Sequence, residues 1–533
     1  MPKFILLLFF LISINNASYA QAPIPTIKPD ATMVKSSRNQ PSNITKLFRN
    51  ADHEKPLSDR EIGLYRDVFD LQKDEKWAQA DVIIQKIDNP VLIGHVLAHR
   101  ILSENYNPTT ADMERWMVFY ADHPQSRIIK TLINTDKPSQ YISRTNGTLA
   151  DLRYFSKGSK YISDKYKNGQ GYELNLVKQE IAKNLDRGAV TTALNYFNKH
   201  RVQRYIDPID KSQILAEIAS YYLYLSQPKR ARATALKALQ ASEKAPLAGW
   251  VMGLTSWING DMVDATRYFT IASNAPYASP WMTSAASYWG ARAATRGKLF
   301  QDVSPLLAKA VKNQRTFYGL IATKAMGYGY DFNWTMPQYS SRHRDKLMTS
   351  AAGARAIALS RANRLAEAED ELFALSTRQD KNMGEAAIAF SNHYNLAGYA
   401  MRFSLANNNP AGGYYDAGLF PISSWTTTDG VDTPMLNAFI RQESRFRTNA
   451  LNQTGATGLM QIMPATAAYI TGNDNFKKPS ARDTLSNPIN NVRIGARYLN
   501  HLRELNSVNN DLFSLAIAYN AGPGKLSRWK RDL

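Results

Sequence analysis

The chain has 533 residues, no cysteine, and 65 Lys and Arg against 45 Asp and Glu, a net charge of +20. That length allows two or three domains with ample core, and the globular composition excludes a disordered chain. Without cysteine, disulfides, thiolate metal sites and a lipid-bearing cysteine near the start are excluded, so stability must come from packing.

Residues 1–20 have a positive start at Lys3, an apolar run from Phe4 to Ile14, and small residues at Ser18 and Ala20. This pattern predicts a cleavable export signal. The apolar run is too short for a ~30 Å hydrocarbon core, which needs about 20 helical residues. No later stretch is long and apolar enough, so no integral membrane segment is expected after cleavage. Lys and Arg are spread along the chain without a nucleic-acid module signature, and export removes the protein from nucleic acid. The charge then reads as affinity for an anionic envelope, or as solvated helix faces.

Residues 21–58, rich in Pro, Ser, Asn and Lys, predict a flexible leader. From Asp59 the pattern is helical, with apolar clusters and short polar turns recurring at a loose period. Tyr222 to Leu225 leads through Gln227-Pro228 to Ala231, Ala233 and Ala235. Leu254 to Trp257 turns at Asn259-Gly260 and continues with Ala265, and Ser287 to Gly290 turns at Arg296-Gly297. Aromatic residues on one helix and alanines on the next permit close antiparallel stacking, which predicts a curved helical-repeat superhelix over 59–333. The Trp and Tyr positions read as core rather than as a sugar platform. Asn407 to Pro410, Gly412-Gly413 and the Ser/Thr-rich stretch from Pro421 to Asp432 mark a domain boundary.

Thr433 and Pro434 read as the N-cap and first residue of a helix whose apolar face is Leu436, Phe439 and Ile440, with Glu443 at i+7. A carboxylate so placed leaves bulk water, and its pKa should rise into the range of a general acid. Glycosidases usually need a second carboxylate, yet Arg445 to Asn473 contains no Asp or Glu. In the turn that follows, Asn452 and Thr454 offer hydrogen-bonding side chains, Gly455 and Gly458 permit tight backbone turns, and Leu459, Met460 and Ile462 suit a packed wall. Asn487-Pro488 opens a helix read as scaffold. Leu512 to Ala518 reads as a buried helix delivering Tyr519 and Asn520 to the Gly522-Pro523-Gly524 turn.

Three motifs in order, Glu443-Ser444, Gly458-Leu-Met-Gln-Ile-Met-Pro464 and Ala518-Tyr-Asn-Ala-Gly522, make the sequence resemble the soluble lytic transglycosylases of bacterial cell-wall turnover. The resemblance implies a mainly all-α chain: a helical superhelix (59–333), a helical linker domain (334–420) and a goose-lysozyme-like catalytic domain (421–533). It implies a periplasmic enzyme that acts on peptidoglycan glycan strands, with no cofactor or metal and with possible envelope protein partners. It makes Glu443 the catalytic acid and Ser444, Asn452, Gly458, Gln461, Met463, Tyr519 and Asn520 supporting or substrate-binding residues. Asn452 stands where the family often has serine. Gln461 and Met463 are positions that contact the sugar, and Tyr519 can hydrogen-bond Glu443 or the glycosidic oxygen. The family's later Ile-Pro-x-x-Glu-Thr-Arg-x-Tyr-Val motif does not occur before Leu533, so the catalytic domain reads as truncated. A hydrolytic muramidase and a non-catalytic helical-repeat envelope scaffold are the competing readings.

Overall fold

Helix starts are written into the chain by proline, whose missing N–H removes no helical bond at the first turn. Pro208, Pro228, Pro246 and Pro280 each open a helix. The computed structural model describes residues 56–135, 172–377, 383–407, 413–425, 430–478 and 481–531, apart from positions 104, 205, 449 and 453. The expected export signal and residues 21–55 of the expected leader lie outside the described residues. Among the described residues every named element is helical, and extended pairing is confined to two isolated bridges, Leu451 with Thr457 and Thr457 with Ile462. None of the described helices is long and apolar enough to cross a membrane.

The described residues divide into two compact units, one of residues 172–331 with 520–531, the other of residues 56–135 with 332–519. In the first, helices pair as antiparallel hairpins: Pro208–Tyr224 with Pro228–Ala241, Pro246–Ile258 with Met262–Asn274, and Pro280–Arg296 with Phe300–Val311. Each hairpin reverses through one left-handed residue, Ser226 (φ 57°), Gly260 (φ 81°) or Lys298 (φ 60°). Ala231, Ala235, Ala265 and Ala272 are fully buried and let neighbouring helices approach. Trp250, Trp257 and Trp289 are buried against them, so the aromatic stripe is core. Gly253 takes this approach further, because a Cβ there would lie 2.5 Å from the Phe269 ring.

In the second unit the helices Asp59–Lys73, Trp77–Ile84, Ile93–Ile101 and Thr110–Tyr120 share a core with Ala358, Leu359, Ala362 and Ala368. Their junction carries a buried polar network. Arg355 donates to both Glu371 oxygens (2.6 and 3.0 Å) and to Asp122 Oδ2 (2.8 Å), and His95 Nε2 meets Glu371 Oε1 at 2.7 Å. Burial pushes the Glu371 carboxyl up, but the His95 hydrogen bond and the Arg355 charge outweigh it and hold the carboxyl low. His95, His123 and Glu371 are grouped closely enough to ligate an ion. The guanidinium of Arg355 nevertheless supplies the positive charge that this carboxylate needs.

Two substitutions test this packing. Gly253→Ala should overpack the Phe269 contact by about 1–3 kcal/mol, less about 1 kcal/mol of helix propensity returned, read as a lower urea midpoint at constant m. Arg355→Ala should destabilise by about 3–5 kcal/mol because it leaves Glu371 a buried, uncompensated charge, read as a large drop in the thermal midpoint at neutral pH.

Candidate active site

The Glu443-bearing helix runs Thr433–Glu443, with Asp432 rather than Thr433 at its N-cap and Pro434 in its first turn. Leu436 and Ile440 are fully buried and fix the helix's rotation, which leaves Phe439 and Glu443, one turn apart, half-buried on one side. Burial pushes the Glu443 carboxyl up to about 7. Ser444, fully buried, ends the helix; its N–H and hydroxyl both donate to Ile440 O, at 3.1 and 3.2 Å. Arg445 and Phe446 then take left-handed backbone (φ 54° and 62°), and Phe446 is buried.

The loop from Ala450 to Met463 is built around backbone pairings. Thr457 and Ile462 exchange N–H to O bonds at 3.1 and 3.0 Å, and Gly458 N–H donates to Ala450 O at 2.7 Å. Asn452 Oδ1 accepts from Thr454 N, Thr454 Oγ1 and Ala456 N, at 2.8 to 2.9 Å, so this side chain shapes the turn. Gln461 (φ 47°) donates through Nε2 to Ala450 O and Gly458 O, both 3.0 Å, which leaves Oε1 as its polar atom for a ligand. Leu459, Met460 and Ile462 form the buried wall, whereas Met463 is 38% exposed, with its sulfur 4.0 Å from Thr454 Oγ1. The two methionines of the motif therefore differ: Met460 is core and Met463 is surface.

Gly458 holds φ 78°, and a Cβ there would meet Asn491 Nδ2 at 2.4 Å. Asn491, on the helix Pro488–Glu504, is fully buried and clamps the loop. Its Oδ1 accepts from Met460 N–H, and its Nδ2 donates to Thr457 O and Leu485 O, all at 2.8 Å. Sequence reasoning took this helix as scaffold. The signal it passed over was an asparagine three residues before Ile494 on the helix's apolar side, where a polar side chain must have buried partners.

Tyr519 lies on the helix Leu512–Ala521 and its hydroxyl donates to Met460 O at 2.7 Å. The phenol is therefore bonded to the loop wall and does not donate to Glu443. Its ring packs between Phe439 (4.7 Å between centroids) and Tyr498 (5.4 Å). Burial, then the nearby Glu443 charge and Tyr498, push the phenol well above its ordinary pKa. Burial also raises Tyr498, a second phenol that the sequence did not single out. Glu443, Tyr519, Phe439, Tyr498 and Met460 thus come together, while Asn520 is exposed one residue beyond the phenol.

A family model, the transglycosylase SLT domain, matches residues 420–532. This segment is a transglycosylase SLT domain. The chain is similar to the soluble lytic murein transglycosylase of Escherichia coli K12, 38% identical over 104 residues, 19% of this chain and 16% of that protein's length. It is also similar to membrane-bound lytic murein transglycosylase C of Histophilus somni 2336, 34% identical over 110 residues, 19% of this chain and 29% of that protein. The alignments thus span well under a third of these relatives. Over a much longer stretch, the fold matches a solved structure of the 70 kDa soluble lytic transglycosylase of Escherichia coli. The TM-score is 0.52 at 16% identity, covering 89% of this chain and 91% of that one. The expected all-α fold, helical repeats with a lysozyme-like SLT domain, is the observed one.

The loop clamp of the SLT domain is directly testable. Gly458→Ala should lower stability by about 2 kcal/mol or more, since the left-handed backbone alone is unfavourable by about 1–2 kcal/mol for a residue with a Cβ and the added methyl displaces Asn491. Asn491→Ala should lower it by a similar amount through buried unpaired groups, about 1–3 kcal/mol each. Denaturant titration measures both.

Proposed function

We propose that this chain is a lytic transglycosylase. It cleaves the β-1,4 bond between N-acetylmuramic acid and N-acetylglucosamine in peptidoglycan and leaves 1,6-anhydromuramyl ends. The observation that carries the reading is the withdrawn Glu443 carboxyl, raised to about 7 and close to the Tyr519 phenol, in a stretch with no acidic residue from Ser444 to Asn473.

One carboxyl group suffices for this reaction. Protonated Glu443 gives its proton to the glycosidic oxygen, the bond to muramyl C1 breaks, and the N-acetylglucosamine end leaves as an alcohol. Positive charge on the muramyl ring is met by the substrate's own N-acetyl group, as in substrate-assisted glycosidases. Ionised Glu443 then takes the proton of the muramyl C6 hydroxyl as its oxygen bonds to C1. No water is consumed, and holding that hydroxyl beside C1 makes the second step intramolecular. The Tyr519 oxygen, its own proton committed to Met460 O, acts as an acceptor that keeps the Glu443 proton aimed. Gln461 Oε1, exposed Met463 and the Asn452 turn line the sugar, with Ser444 and Gly458 fixing the backbone under them and Asn520 on the rim. A periplasmic address, an export signal at 1–20, envelope protein partners and the division at 334 and 421 belong to the same proposal. The relatives, named as murein transglycosylases, support the substrate class.

Glu443→Gln should reduce cleavage of purified sacculi by about 100-fold or more, the scale of general acid catalysis. Mass spectrometry of the wild-type products should find anhydro ends; products heavier by one water, with reducing ends, would make the enzyme a muramidase. The rate should fall as pH rises through about 7, where Glu443 loses its proton. The same shift has a stability consequence. Folding favours the protonated form, so the burden of ionising Glu443 is absent below its ordinary value of 4.5 and grows as pH rises to about 7. Glu443→Gln should therefore raise the thermal midpoint at pH 8 and leave it unchanged at pH 4.

A further inference from the structure

The turn that ends the Glu443 helix is pressed from behind by another helix of the same unit. Gly398 is the second residue of the helix Ala397–Ala406. A Cβ at Gly398 would stand 2.9 Å from the Arg445 carbonyl oxygen and 3.6 Å from that of Phe446. These are backbone atoms, which cannot swing aside as a side-chain end would. Both belong to the left-handed pair that reverses the chain two and three residues past the acid. No glycine of its own gives this reversal its conformation, so the surroundings must hold it. Arg447 braces it from the far side, with Nε at 3.1 Å and N–H at 3.3 Å from Ser444 O. Tyr399 and Arg402, on the Gly398 helix, are buried beside the reversal and interact with Arg447. Glu369, on the helix Leu365–Thr377, also faces Arg447, and burial with Asp370 beside it raises its carboxyl to about 8. Tyr519 lies near Glu443, and Tyr498 packs on the Tyr519 ring.

We propose that Gly398 is a positioning residue for Glu443: its missing side chain lets the helix Ala397–Ala406 seat on the Arg445 carbonyl, and this seat holds the acid's carboxyl withdrawn from water. The proposal rests on the reading of Glu443 as the acid. It assigns to a residue outside the matched SLT segment a part in setting the acid's protonation. Any side chain at 398 pushes the reversal away, and Glu443, two residues before it, regains solvent.

The test uses the full chain with Gly398→Ala and Gly398→Val, following sacculus digestion from pH 5 to 9 together with thermal unfolding. The expected result is a kcat reduced about 10-fold or more, an apparent KM within twofold of wild type, and an alkaline limb of the rate profile moved to lower pH, larger for Val. Val and Ala variants with wild-type kcat and an unmoved limb overturn the proposal. So does a loss of rate that follows loss of folded protein while the limb stays in place, because that is a structural effect only. If the Val chain does not fold, the Ala chain decides by the same readings. Failure of the underlying reading is separate: it would appear as cleavage retained in Glu443→Gln, whatever Gly398 does.

Discussion

The candidate site hangs on the buried amide of Asn491. Three hydrogen bonds of 2.8 Å from one side chain fix Met460 N–H, Thr457 O and Leu485 O. Gly458 offers the space that this amide occupies. With the loop fixed, Met460 O points where the Tyr519 hydroxyl can reach it. The phenol in turn holds its ring against Phe439 and Tyr498 and lies near Glu443. Each link is a buried polar group with a partner, the condition under which such groups rigidify a core instead of weakening it.

Glu443 is the exception in that chain. Burial raises it, and no cation or hydrogen bond among the described residues offsets the shift, in contrast to Glu371, which is more deeply buried but held low by His95 and Arg355. The same fold therefore shifts these two inward carboxyls in opposite directions. One is suited to structural charge pairing and the other to proton transfer. What separates them is the presence of donors within hydrogen-bond reach.

Much of this was legible in the sequence, and for local reasons. Helix starts at proline, hairpins of aromatic and alanine faces, the helix stripe ending in Glu443, and the glycine at 458 all follow from periodicity and backbone conformation. The one-residue difference at the start of the acid helix, Asp432 for Thr433, lies within the ambiguity of any helix end. What sequence did not reveal was long-range polar pairing. Asn491 bonds residues 31 and 34 positions away, and Arg355 reaches Asp122 across 233 positions. Neither leaves a periodic trace. Tyr519 stood out in its motif, but its donor goes to a main-chain carbonyl that no pattern of side chains could indicate. Gly398 draws its meaning only from the Arg445 backbone packed against it.

The bond from Tyr519 to Met460 also has a meaning in time. It joins residues 59 positions apart, and the helix that supplies the phenol is made after every other part of the site. In chain order, the Glu443 helix and its loop precede that helix, so they can form before Tyr519 reaches the acid. The contact between the phenol and the loop wall arises when the helix Leu512–Ala521 docks. The surroundings of the acid are thus completed by a contact that comes late in chain order.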